Sequence, residues 1–228
     1  MKKAFVLSIL LCFCVAVAAQ EPQHKLVQFQ MALLQRGPKP IPEGLESSPL
    51  RKEHIAYIHS LMESGQVIIA GPISGDPKLA GVLIFRTQSA DDARNLANGD
   101  PFVKAGYFTP ELHPWWAEDV MKKTTTPDKL TTAYIAFLVR GEKWTPDKTP
   151  ETEAIQKAHL ANIGKLAETK KLVVAGPFGD DGTLRGIFVF RVASIDEARA
   201  LAATDPAVKA GRLALQIYPW MVPEGILP

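Results

Sequence analysis

The chain has 228 residues, 46% of them apolar, with 26 basic side chains against 24 acidic ones. A chain of that length buries enough apolar surface to fold without covalent staples. Its near-neutral balance gives no electrostatic basis for binding nucleic acid or an anionic membrane.

Lys2 and Lys3 precede an apolar run over residues 4–17, and small residues follow. Val17 and Ala19 suit the minus-three and minus-one positions of a signal-peptidase site, so residues 1–19 read as a signal peptide cleaved before Gln20. The run is short for a bilayer and no stop-transfer segment follows, so the expected product is periplasmic or secreted, with no membrane segment after cleavage. Lys2 and Lys3 leave with the signal, which reduces 26 basic residues to 24 and matches the acidic count. Cys12 and Cys14 leave too. A mature chain without cysteine excludes disulfides, thiolate nucleophiles and Cys-ligated metals.

The apolar run 26–34 suits a buried strand. A Pro-rich loop over 37–49 leads to Ser48-Pro49, an N-cap with proline at the first helical position. The helix carries Ile55, Ile58, Leu61 and Met62. Strands follow at 67–70, stopped by Gly71-Pro72, and at 81–86. Ser89 and Asp92 open a second helix carrying Ala93, Leu96 and Ala97. A turn through Asp-Pro-Phe-Val-Lys-Ala-Gly at 100–106 leads to a last strand ending at Pro114-Trp115. The order is βαββαβ, which is ferredoxin-like.

The same order then recurs. Shifted by 105 positions, residues 51–115 share 28 identities in 65 with residues 156–220. Asp-Pro-Ala-Val-Lys-Ala-Gly at 205–211 repeats the earlier turn, and Ser194 with Glu197 repeats the cap as a fuller capping box. Two copies are too few for a solenoid, so this is a duplicated domain. Residues 20–116 form the first domain, 117–132 the linker and 133–228 the second. Each sheet has one face covered by helices. The second copy is the simplest cover for the other face, which predicts an α+β protein packed as an internal pseudo-dimer.

Two repeated residue types carry chemistry. His54 lies on the stripe of Ile58 and Leu61, and His159 on that of Ile163 and Leu166, at i, i+4, i+7 spacing. A histidine at a core edge is a satisfied structural group or a general acid or base. Asp100 and Asp205, each before proline, are turn or cap residues, or carboxylates that orient the imidazoles. Asp76 and Asp181 compete for that second role, while Glu63 and Glu168 read as solvated.

His54 with Leu61, Ala70-Gly71-Pro72, Asp100-Pro101, Ala105-Gly106 and Pro114-Trp115 together resemble the YCII-related domain. So do His159, Ala175 to Pro177, Asp205-Pro206, Ala210-Gly211 and Pro219-Trp220. The resemblance spans nearly all of the chain beyond the signal, as two domains. It implies a ferredoxin-like fold of the dimeric α/β-barrel type. It also implies a histidine–aspartate active site, carried here to His54 with Asp100 and to His159 with Asp205. Family members often carry Arg-Pro before the histidine. Here Lys52-Glu53 and Lys157-Ala158 stand there, so a contact from that arginine is not carried over.

The resemblance implies proton transfer on a small cyclic or enolisable compound, of isomerase or lyase type. Histidine would take the proton, aspartate would hold its other nitrogen, and Trp115 and Trp220 would wall the pocket. The loops at 37–49 and 141–150, the latter with Trp144, would line or lid it. A non-catalytic module holding a small ligand is the alternative. Haem, which related barrels hold through histidine, would be non-covalent because Cys-x-x-Cys-His is absent. A metal at His54 and His59 is disfavoured by their i, i+5 spacing and by Gly164 at the second position in copy two. No cofactor or metal is expected; the partners expected are a small molecule and, within the chain, each domain for the other.

Overall fold

The computed structural model describes residues 25–123 and 127–228. The signal segment 1–19 and part of the linker lie outside them. Copy one runs β1 (Leu26–Arg36), α1 (Pro49–Glu63), β2 (Val67–Pro72), β3 (Leu79–Phe85), α2 (Ala90–Asn98), α3 (Pro101–Lys104) and β4 (Phe108–Glu118). Copy two runs β5 (Leu130–Arg140), α4 (Pro150–Glu168), β6 (Leu172–Pro177), β7 (Leu184–Phe190), α5 (Ile195–Ala202), α6 (Pro206–Lys209) and β8 (Leu213–Pro223). Both sheets are antiparallel, ordered β2-β3-β1-β4 and β6-β7-β5-β8. That is the ferredoxin-like order, twice.

The repeated seven-residue phrase is not a simple turn. It is a one-turn helix with three instructions in it. Asp100 and Asp205 accept the amides of Phe102 and Ala207, proline occupies the first turn, and Gly106 and Gly211 leave at φ 82° and 73°. Those left-handed angles favour glycine, which has no Cβ to clash. Helices α1 and α4 begin as the sequence predicts, with the Ser48 and Thr149 side chains accepting the amides of Arg51 and Thr152.

The apolar faces of the two sheets enclose one core. Phe29, Met31, Ile84 and Trp115 meet Ile135, Ile187, Phe137 and Trp220, all but excluded from solvent. The edges also meet. β2 lies against β8 and β4 against β6, with bridges at Ile73–Trp220 and Trp115–Phe178. The Ser74 amide donates to Pro219 O at 3.0 Å, and the Gly179 amide to Pro114 O at 2.7 Å. Trp115 Nε1–H donates to Gly176 O, and Trp220 Nε1–H to Gly71 O, both at 3.2 Å. A Cβ on Gly71 or Gly176 would collide with the carbonyl of Met221 or Trp116. The Ala-Gly-Pro motif therefore lets the two copies approach backbone to backbone, so that eight strands close around the shared core. Trp115 and Trp220 do not wall a pocket. Both are 0% exposed and pin the barrel seams.

The helices cover the outer faces. In copy one, Ile58, Leu61 and Met62 of α1 and Ala93 and Ala97 of α2 lie in the same packed core as Leu34, Leu83 and Phe85. In copy two, Leu166, Ala198 and Ala202 pack with Leu138, Phe188 and Phe190. Among the described residues no helix is long and apolar enough to cross a membrane.

Candidate functional site

Each histidine meets its aspartate on this outer layer. His54 of α1 reaches the N-terminus of α3, and its Nδ1 lies 2.8 Å from both carboxylate oxygens of Asp100. His159 of α4 does the same at α6, with Nδ1 2.7 Å from Asp205 Oδ2. Asp100 is 1% exposed and Asp205 0%. Asp205 Oδ1 meanwhile accepts the amides of Ala207 and Val208 at 2.9 and 3.3 Å. The two roles weighed from sequence, cap and imidazole holder, therefore coexist. At Asp205 each role uses one carboxylate oxygen, while at Asp100 the imidazole lies against both and Oδ1 also accepts the Phe102 amide.

An ionised carboxylate only accepts, so Nδ1 carries the proton and donates it. The other ring nitrogen, Nε2, is left with a lone pair in the neutral ring. That is the form needed of a general base, and also of a metal ligand.

The surroundings of the two dyads differ. The His54 ring stacks on Phe102, with centroids 4.3 Å apart and planes 7° from parallel, and Phe108 meets it edge-on at 6.5 Å. The equivalent positions in copy two are Ala207 and Leu213. There His159 lines a cleft of about 550 Å³. Its apolar lining includes Leu138, Ile163, Phe188 and Leu213, and Trp144 contributes from the loop before α4. In copy one the chain before α1 forms instead a short 3₁₀ turn, Leu45–Ser47, with Leu45 buried where the turn packs on α1. A smaller cleft of about 280 Å³, near Gln66, Arg86 and Asn95, includes neither His54 nor Asp100.

Arg185 and Arg212 also line the large cleft. Arg185 Nη1 donates to Asp180 O at 3.1 Å, and Arg212 Nη2 to Thr145 O at 2.8 Å. The Arg140 and Arg185 guanidinium carbons lie 3.9 and 5.7 Å from the Trp144 ring centre. Neither Arg185 nor Arg212 was anticipated from sequence, because neither sits in a repeated phrase. Their difference from the copy-one residues Ala80 and Tyr107 was the available signal.

A second kind of pair sits at the seams and was not anticipated. His113 Nδ1 lies 2.7 Å from Asp180 Oδ2 across one seam. His113 is 8% exposed, and its Nε2 is buried without a hydrogen bond, 3.4 Å from Glu111 Oε1. The position equivalent to His113 is Tyr218, whose hydroxyl faces Asp76 across the other seam. Burial first, and then Asp76, push the Tyr218 hydroxyl up to about 12. Burial raises Asp76, but the amides of Leu79 and Lys78 and the Tyr218 hydroxyl outweigh it, and the carboxyl lies below its ordinary range.

Asp76 and Asp181 therefore do not serve the histidines. Asp76 belongs to the seam, and Asp181 offers its backbone carbonyl to Arg140. Glu63 and Glu168 are exposed. His59 faces Asp128 at 3.5 Å, and no group of three metal-ligating side chains occurs among the described residues.

No curated protein matches the chain. Among solved structures, a chlorite dismutase variant from Candidatus Nitrospira defluvii superposes with a TM-score of 0.55 at 10% identity, covering 88% of this chain and 92% of that one. A haem-binding protein from Thermus thermophilus does so with a TM-score of 0.53 at 14% identity, covering 87% and 92%. At such identities the likeness is one of fold, and it agrees with the closed two-domain barrel. The YCII-related domain profile matches twice, over residues 30–115 and 136–221, and each match contains one His–Asp dyad, one Ala-Gly-Pro seam and one pinning tryptophan, so the chain belongs to the YCII-related family as two tandem domains.

Proposed function

We propose that the copy-two cleft is an acid–base site for a small cyclic or enolisable compound, and that copy one is its structural partner. One observation carries this reading. His159 lines a cleft of about 550 Å³ while a fully buried carboxylate holds its Nδ1–H. Asp205 fixes the tautomer and orientation of the ring and offsets the charge that appears when Nε2 takes a proton. The electron pair of the broken C–H bond moves onto the neighbouring carbonyl oxygen as an enolate. The imidazolium then returns the proton to another carbon, or the enolate expels a leaving group. The first outcome is isomerisation and the second elimination. The apolar wall of Leu138, Phe188 and Leu213 keeps water from the enolate.

The test is proton wash-out in D₂O, followed by NMR on a panel of enolisable lactones and hydroxyquinones. A substrate should exchange with the native protein, and His159→Gln should slow it by about 10²–10⁴-fold. His54→Gln should leave it nearly unchanged. Equal exchange by native protein and a folded His159→Gln variant would remove the reading. Binding without exchange would instead favour a non-catalytic ligand-holding module.

A second reading has one observation in its favour. An imidazole whose Nδ1–H is held by a carboxylate also suits a metal-ligating histidine, and the Thermus thermophilus neighbour binds haem. His159 would be the residue that holds the haem iron, and the haem would supply redox chemistry. A Soret band on adding hemin, lost in His159→Ala, would replace the proton-transfer reading. Export of the chain through residues 1–19 belongs with this proposal, and mass spectrometry of the exported protein should find Gln20 at its N-terminus.

A further inference from the structure

The cleft contains more positive charge than its proton chemistry uses. Arg185 and Arg212 are half-buried in its lining, and each donates to a backbone carbonyl. Among the described residues, neither guanidinium has a carboxylate oxygen within 4.0 Å. One acidic neighbour is already engaged. Asp180 gives Arg185 only its carbonyl, because its carboxylate oxygens hold His113 Nδ1 and the Gly182 amide at 2.7 and 3.1 Å. Asp147 and Glu153 line the cleft too, but the Asp147 carboxylate accepts from Thr145 Oγ1 at 2.7 Å, and neither carboxylate lies within 4.0 Å of either guanidinium. Partly desolvated guanidinium groups without a counter-ion favour an incoming carboxylate, which their paired N–H donors fit.

The rest of the lining describes the rest of the ligand. Leu138, Ile163, Phe188 and Leu213 offer an apolar surface, and the Trp144 ring stands at the loop side with guanidinium groups against it. Such a wall suits a flat, conjugated body that fills space without needing hydrogen bonds. Copy one supplies the internal contrast. It keeps the His–Asp dyad, but Ala80 and Tyr107 replace the two arginines and Phe102 occupies the space. The cations accompany the cleft and not the dyad. We infer that the copy-two cleft takes a planar, conjugated carboxylate, whose anionic end lies between Arg185 and Arg212 and whose body lies over Phe188. This names the ligand class for the acid–base reading above, and it rests on that reading only for the identity of the site.

The test compares 1-naphthoate with 1-naphthamide, which keeps the ring and removes the charge. Binding to the full mature chain is measured by calorimetry, and the Trp144 indole signal is followed by NMR. Naphthoate should bind about tenfold or more tighter than naphthamide and should shift the Trp144 signal. In Arg185→Gln/Arg212→Gln, naphthoate should fall to the naphthamide level while naphthamide itself is unaffected. Equal binding of the two probes, no binding of either, or a preference that survives in the folded double variant would each overturn the inference. So would hemin occupancy that naphthoate cannot displace. The two proposals fail separately. His159→Gln abolishes proton wash-out if the acid–base reading holds, yet naphthoate should still bind it. Loss of the naphthoate preference leaves wash-out as the sole support for the site.

Discussion

The two copies hold their dyads alike, with Nδ1 2.8 Å from Asp100 in one and 2.7 Å from Asp205 in the other. Around those dyads they diverge. Phe102 lies flat against the His54 ring, while Ala207 leaves His159 beside open space. The comparison separates two things that a shared motif merges. The dyad is a product of the scaffold: an aspartate capping a one-turn helix has a free oxygen, and the histidine of the preceding long helix reaches it. The space is a product of a few neighbours, chiefly positions 102 and 207, 108 and 213, and the loop before the long helix. A repeated His–Asp pair is therefore evidence of common architecture, and the unshared residues are what separate the two copies.

The largest effect that could break this comparison comes from the aspartates. Asp100→Ala and Asp205→Ala should each destabilise the fold by about 2–4 kcal/mol, from one imidazole left without its partner, half-buried at His54 and buried at His159, and one lost helix cap. Urea unfolding measures both. Closely similar losses mean that the dyad is architectural in both copies, while a small loss at Asp100 alone would mean that only copy two needs it.

Filling the cleft sharpens the comparison next. Ala207→Phe places in copy two the ring that copy one has, and should weaken naphthoate binding by about tenfold or more with little change in stability. Calorimetry on the variant decides. Undiminished binding would mean that the ligand space lies elsewhere than beside His159.

The smallest expected effect lies at the seams, where His113 and Tyr218 occupy equivalent positions and each faces an aspartate across its seam. Tyr218 keeps its proton up to about 12 in the folded chain against an ordinary 10.0, because burial, then Asp76, disfavour the phenolate. A raised folded value means that its contribution is complete below about pH 10 and is lost as pH climbs toward 12. Asp76, held low, contributes above its ordinary 3.8 and loses that contribution as pH falls below it. Melting temperatures of the native protein and Tyr218→Phe should therefore converge at the alkaline end. A constant difference from pH 8 to 12 would show that the hydroxyl does not take part.

Much was legible from residues alone. The duplication, the βαββαβ order and the capping residues depend on local pattern, and short-range sterics and hydrogen bonds enforce them. The four dyad residues were also legible as candidates, because each sits in a repeated phrase. The tryptophans read from sequence as a pocket wall but stand in the seams, because repetition marks structural need as readily as chemical use. Trp115 and Trp220 recur because each seam needs an indole to reach the glycine carbonyl of the other copy. The seam pairs were invisible because His113 and Asp180 stand 67 positions apart and their equivalents differ in type.

What the sequence by itself determined is the pair of modules and the helix starts, turns and strands within each, since those arise from neighbours in the chain. Only the tertiary structure decided that the two sheets close edge to edge, that Asp205 can cap and hold an imidazole at once, and that a cleft opens beside His159. Those outcomes depend on which distant surfaces share one space, and on whether a phenylalanine or an alanine stands where they meet.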